Sequence, residues 1–373
     1  MFTKNLMMFL MKVKKYYKII FELILILFLI VFSVILSEKF LRDWHGPGGS
    51  ISTDLYIPSI LFACGKGFVN TNPSEVPHLR SFLDFNERTF SPSYIPSEFQ
   101  AQEMDTYQQY HRYLIYTVGM VWRIFGVSWE VLRWFLVFLY ALTILIVYAI
   151  AHVFLPSYFA IFVAGFYCVN IDVTLLILPI LRDFARAPFI LTVILILFYL
   201  IQGKRTNLRF LVICLLSGLT CGIGIGFRRD LLMFFILALF ILSIVPKENH
   251  VPKIPIRIAG VILAILVFLV SSYPILQSFH KFGTLGWHDT LMGFGTEHDD
   301  LAGLQRTNYE RIPKYNDLLV SATADVHSYY HESLNDYELY IKKKPELEKR
   351  NLFLAYLYWF PCLLYTSPSP RDS

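Results

Sequence analysis

Charge is what this 373-residue chain has least of. Only 16% of its residues are Asp, Glu, Lys or Arg, against about 25% in ordinary soluble domains. That shortage argues against two or three soluble domains, the default for this length. Hydrophobic residues at 55%, with aromatics at 17%, take the place of the missing charge. The five cysteines, Cys64, Cys168, Cys214, Cys221 and Cys362, form no CxxC pair and read as small buried hydrophobes. No arginine-rich stripe accompanies the net charge of +5, so a nucleic-acid partner is not indicated. A P-loop, a GxSxG elbow, an HExxH helix and an internal repeat are all missing. "GIGIGF" has alternating glycines in an apolar run without a following Lys-Ser/Thr, and reads as helix packing through small residues.

What is present is a series of long apolar runs. A spanning helix needs about 20 mostly apolar residues. Residues 19–37 qualify as the first span, with Glu22 near the start and Lys12, Lys14, Lys15 and Lys18 before it. Those lysines place the 1–18 tail inside, so the helix runs outward. The apolar core is too long for a cleaved signal peptide, and no small-residue cleavage pattern follows. Residues 38–111 then form a polar outer loop. Residues 112–129 ("RYLIYTVGMVWRIFGVSW") are short for a span and read as an interfacial helix, with Trp122 and Trp129 at headgroup level.

Six further spans are expected within residues 130–275: Leu132–Val153, Tyr158 to about 175, Pro188–Ile201, Phe210–Phe227, Leu231–Val245 and Ile258–Tyr273. Alternate threading puts Lys204, Arg205, Arg209, Lys247, Lys253 and Arg257 inside, in line with the positive-inside bias. It leaves residues 276–350 outside as a mixed polar segment, and residues 351–361 as the opening of an eighth span. "CLLYTSPSPRDS", Cys362–Ser373, resembles a translated sequencing adapter and is set apart from fold reasoning, with the native chain expected to continue past Pro361. The fold class expected is an all-α polytopic membrane protein with about seven spans plus the start of another. Its N-terminus is cytoplasmic, and the plasma, inner or endoplasmic reticulum membrane would suit it.

Two outer turns run against the charge bias: "LRDFARAP", with Arg182, Asp183 and Arg186, and "GFRRDLL", with Arg228, Arg229 and Asp230. Charges at membrane level are costly and mark a partner or a pathway. Either these arginines snorkel beside neighbouring aspartates, or they collect an anion at the outer face. His111 and Arg112 stand at the mouth of the interfacial helix, and Asp172 stands at the outer end of a span with no adjacent base.

"TDLYIPSILFACGKGF", residues 53–68, resembles the first outer loop of the GT-C superfamily of polytopic glycosyltransferases. There an Asp, often followed by Tyr, precedes a short helix ending in a Gly-x-Gly-Phe turn. "YHRYLIYTVGMVWRIFGVSWEVLRWFLVFLYALTILIVYAIAHVF" and "GLTCGIGIGFRRDLLMFFILALFIL" are similar to the stretches that follow in order. The resemblance covers about residues 15–275, and its branch is like the dolichyl- or polyprenyl-phosphate-mannose mannosyltransferases. It departs from the pattern at Leu55, where a second acid is usual, and in lacking a Pro-Pro before the interfacial helix.

The resemblance implies sugar transfer from a lipid-phosphate donor to an acceptor hydroxyl on the outer (periplasmic or lumenal) face. A hydroxyl is a poor nucleophile near neutral pH, and a positioned carboxylate accepting its proton helps by about 10²–10⁴-fold. Asp54 is the candidate base; the alternative is that it caps a short helix. The phosphate leaving group calls for guanidinium forks, with His111, Arg112, Arg182, Arg186, Arg228 and Arg229 as candidates. Asp183 and Asp230 would orient arginines, and Asp172 would meet Arg182 or a metal. No cofactor is firm. A divalent cation fits some members of the superfamily and not others. The candidates to ligate one are His288, Asp289, His298, Asp299 and Asp300, which a solvated loop explains equally. A transporter or flippase of a lipid-linked sugar, or a non-catalytic multi-pass protein, is the competing class.

Overall fold

The computed structural model describes residues 2–47, 53–170, 172–202, 206–244 and 254–282, and among these the chain is helical, with two isolated β-bridges and no strand. Twelve α-helices follow one another among the described residues. A long α1 (Phe2–Phe40) is followed by three short ones, α2 (Ile57–Ala63), α3 (Leu79–Leu83) and α4 (Thr106–Tyr110). Next come α5 (Arg112–Phe125), α6 (Trp129–Phe154), α7 (Ser157–Cys168) and α8 (Leu181–Phe184). The series closes with α9 (Ala187–Gln202), α10 (Asn207–Gly224), α11 (Leu231–Ile244) and α12 (Ile254–Phe282). Five stretches are long and apolar enough to cross a bilayer: Ile19–Phe40, Trp129–Phe154, Leu181–Gln202, Asn207–Gly224 and Ile254–Ser278. The first helix starts at Phe2, not at residue 19, because the basic tail continues the same helix. Large apolar side chains face outward along the bundle, Phe166 at 81% exposure among them, as a hydrocarbon surround would require.

The two remaining apolar runs are shorter helices. At 1.5 Å per residue, α7 reaches about 18 Å and α11 about 21 Å, short of a core of about 30 Å. A π-helical turn, Asp172–Ile177, follows α7 and extends its reach. Contacts define the two ends of the bundle. At one end Glu22 of α1 accepts hydrogen bonds from Tyr148 Oη of α6 (2.6 Å) and from Ser157 Oγ at the start of α7. At the other, Trp44 Nε1, just beyond α1, donates to Pro179 O at 2.8 Å. Residues 157–179 therefore run the length of the bundle, alongside the stretch of α1 that separates those contacts.

Glycine sets the closest helix pair. Gly218 lies against Ala264, Gly222 against Phe268 and Ser271, and Gly260 against Phe210 and Cys214, so α10 and α12 run parallel in close contact. A Cβ on Gly218 would come within 2.4 Å of the Ala264 carbonyl oxygen. The three glycines of "GIGIGF" all serve packing: Gly222 on α12, Gly224 on Leu231 and Phe189, and Gly226 on Tyr113. This is the small-residue packing expected of the motif.

Residues 53–128 form a helical cap over one end of the bundle. Its core is aromatic. Phe82 stacks on Trp129 at 4.7 Å between centroids, and Tyr56 meets Trp122 and Trp129 edge-on at 6.3 and 6.2 Å. Trp122 and Trp129 are buried and donate to Ser128 O and Phe82 O. Both indoles therefore serve the core of the cap, each N–H buried with a carbonyl partner. Helix α5 packs Leu114, Ile115, Val118 and Trp122 inward, yet leaves Tyr116, Met120, Ile124 and Phe125 exposed.

Candidate functional site

The site is assembled by α4, which touches the loop around Asp54 and Asn70 on one side and the arginine turns on the other. Asp105 starts α4 with a capping box: its Oδ1 accepts from Gln108 N at 2.7 Å, and Gln108 Oε1 accepts from Asp105 N at 3.1 Å. That box orients Gln108, whose Nε2 donates to the Asp54 backbone oxygen at 3.0 Å and to Asn70 Oδ1 at 3.3 Å. Asp54 sits in the 3₁₀ turn Thr53–Tyr56 that leads into α2, with Pro58 in that helix's first turn. The helix ends where Gly65 (φ 80°) and Gly67 (φ 90°) take backbone conformations that L side chains rarely adopt. Its N-cap is Tyr56, which makes no side-chain cap hydrogen bond, and Asp54 lies two residues before it. The carboxylate instead pairs with Arg80 Nη1 at 3.1 Å, and is 29% exposed.

Across α4 lie the two arginine turns, residues 181–188 and 226–232. Arg182 Nη1 donates to Tyr107 Oη, and its guanidinium lies over the Tyr107 ring at 5.8 Å. Arg182 Nε also pairs with Asp183 Oδ1 at 3.2 Å, an oxygen shared with Arg228. Arg186 pairs with Asp230 Oδ2, which Arg228 Nε also approaches at 3.6 Å. The three arginine side chains are 14–19% exposed and the two aspartates 6–7%. Arg229 joins the same group, since its charge is felt at Tyr110, His111 and Arg182. Together these four arginines and two aspartates carry a formal charge of +2 in a largely buried cluster.

Burial dominates the titration of the neutral groups around the cluster, and the arginines are the smaller influence. His111 is buried, its Nδ1 lies 3.0 Å from Tyr107 O, and burial pushes its pKa down to about 3, with Arg228 and Arg229 adding to the shift. It adds no charge at neutral pH. Burial raises the Tyr110 hydroxyl to about 12 against the pull of Arg229. It raises Tyr56 well above the ordinary phenol range against the pull of Arg182. Two longer helices also begin here: α9 starts at Ala187, next to Arg186, and α11 at Leu231, next to Asp230. Both direct the positive ends of their dipoles toward the cluster.

The six proposed donor-binding residues thus divide. His111, Arg182, Arg186, Arg228 and Arg229 come together, while Arg112 turns to the Phe68 ring at 6.0 Å and lines a separate cavity. Asp183 and Asp230 hold arginines. Asp172 lies on the π-helical turn, and its side chain is outside the described residues, as are His288, Asp289, His298, Asp299 and Asp300. Among the described residues no group of three His, Cys, Asp or Glu comes together for a metal. Sequence reasoning missed Arg80, Tyr107 and Gln108. Their partners lie 26, 75 and 54 positions away, a separation without a local signal.

No family model, no curated protein and no solved structure matches this chain.

Proposed function

We propose that this protein is a membrane glycosyltransferase that moves a sugar from a polyprenyl- or dolichyl-phosphate carrier to an acceptor hydroxyl at the outer face. The observation that carries the reading is the buried, cationic arginine cluster on one side of α4, with Asp54 held through Gln108 on the other. Burying several charges is expensive even when they are paired, and guanidinium forks at two helix N-termini suit a phosphate. Such groups would stabilise the charge that grows on a departing lipid phosphate. Asp54 would accept the proton of the acceptor hydroxyl, with Arg80 holding the carboxylate.

In this reading α7 with its π-helical turn and α11 also cross the bilayer, giving seven crossings, and the clustered arginines lie at the outer surface with the N-terminus inside. The exposed apolar face of α5 rests in the outer leaflet, where Arg123 over the Phe62 ring (5.2 Å) suits the headgroup level.

Asp54→Asn tests the chemistry. In proteoliposomes supplied with polyprenyl-phosphate-mannose and a panel of glycoside acceptors, transfer should fall by about 10²-fold or more with donor binding retained. Unchanged transfer in Asp54→Asn removes its catalytic role. A flippase would show the opposite pattern, with carrier translocation insensitive to Asp54→Asn.

A further inference from the structure

A concavity with a volume of about 960 Å³ lies beside α4, at the upper end of the range for ligand sites. Its walls come from loop residues 68–69 and 101–104, the α4–α5 junction and α12 around Pro274. Its chemistry is unlike that of the arginine cluster. Gln102, Gln109, Gln277 and Ser278 present amide and hydroxyl groups, and Phe68 and Tyr273 present aromatic faces. Arg112 and Glu103 balance one another in charge. Gln109 is committed to the frame: its Nε2 donates to Met104 O at 3.0 Å, and its Oε1 accepts from Ser278 Oγ at 2.9 Å, tying α4 to α12. Gln102 and Gln277 are exposed, and their side chains make no hydrogen bond among the described residues, so both amides are open to a ligand.

Amides that donate and accept side by side, aromatic faces and balanced charge suit a ligand with many hydroxyls and apolar C–H faces. They do not suit a phosphate, which the four-arginine cluster serves far better. The cavity is joined to the Asp54 backbone by a relay of hydrogen bonds. Gln108 Nε2 reaches both the Asp54 backbone oxygen and Asn70 Oδ1, and Asn70 bridges to Gln102 through a pair of backbone hydrogen bonds at 2.9 and 2.8 Å. We infer that this cavity is a carbohydrate subsite which seats the sugar portion of the acceptor beside Asp54. The word acceptor rests on the glycosyltransferase reading; the carbohydrate assignment rests on the lining alone.

The test is saturation-transfer difference NMR on the full chain in lipid nanodiscs, free of maltoside detergent, with methyl glycosides of mannose, galactose, arabinose and N-acetylglucosamine as probes. At least one glycoside should give transfer signals. Tyr273→Ala and Gln277→Leu each alter an exposed side chain, and each should weaken its apparent affinity by about tenfold, the effect of removing one stacking face or one hydrogen-bonding group. Polyprenyl phosphate binding should be unchanged in both. If no glycoside gives a signal, or the signals survive both variants, the carbohydrate assignment is wrong. Displacement of the glycoside by short-chain phosphatidate at equal potency in the two variants would reassign the cavity to a lipid headgroup. Glycoside binding in a protein that transfers no sugar from any polyprenyl donor would keep the subsite and remove the enzyme.

Discussion

Replacing Asp183 with asparagine removes a charge from the cluster while keeping its shape. Asp183 is 6% exposed and receives Arg182 Nε at 3.2 Å, with Arg228 on the same oxygen. At 3.2 Å and an effective dielectric of about 20, the Arg182 contact represents about 5 kcal/mol of gross attraction. Removing the carboxylate also removes its own desolvation cost of several kcal/mol, while the two arginines stay where the fold holds them. Breaking one side of a buried pair costs about 3–5 kcal/mol, and the partial exposure of both arginines points to the lower end, about 3 kcal/mol. Unfolding free energies measured by SDS titration of mixed micelles would read this directly. The substitution makes the cluster more cationic by one charge, so short-chain phosphatidate should stabilise Asp183→Asn more than the parent. A stability change below about 1 kcal/mol, the level of an exposed surface pair, would refute the description of a buried, electrostatically strained cluster.

Acid should expose the second property of this region. Folded His111 titrates near 3 and its unfolded counterpart near 6.5, so between those values the unfolded chain binds the extra proton. Stability present above 6.5 is lost as pH falls toward 3, at about 1.4 kcal/mol per unit for one proton. Between pH 6.5 and 5 the parent should therefore lose about 2 kcal/mol more than His111→Gln; equal pH slopes in SDS titrations would contradict the buried neutral imidazole. In the bundle, Gly218→Val should force α10 and α12 apart and cost about 2–3 kcal/mol, whereas Gly165→Ala, with open space around its Cβ position, should be tolerated. Thermal unfolding of the two variants side by side gives the comparison.

Apolar periodicity and length located the helices well. The predicted Leu132–Val153, Pro188–Ile201 and Leu231–Val245 became Trp129–Phe154, Ala187–Gln202 and Leu231–Ile244, because runs of Leu, Ile and Phe bounded by Ser, Pro and Gly leave little choice. What composition could not tell is how a run is used. Trp122 and Trp129 have the composition of interface anchors, but the cap that buries them is built from Tyr56 and Phe82, far away in sequence. The break after Cys168 precedes a π-helical turn whose local signal is Asn170, with its Oδ1 accepting from Val173 N at 3.1 Å. At the site, the two arginine turns were legible because their charges interrupt long apolar runs. Their convergence was half legible: Asp183 and Asp230 adjoin Arg182 and Arg229 in sequence, but the Arg186–Asp230 and Arg228–Asp183 pairs cross between turns. Arg80 reaches Asp54 only through the folding of the loop.

The most direct test of the central claim is the affinity of the chain in nanodiscs for polyprenyl monophosphate, compared between the parent, Arg228→Ala with Arg229→Ala, and Arg80→Ala. Removing two guanidinium donors should weaken binding by about a hundredfold or more in the double variant, with Arg80→Ala, which touches Asp54 and not the cluster, close to the parent. Parent-like affinity in the double variant, or an equal weakening in Arg80→Ala, would contradict a phosphate seat built from these arginines.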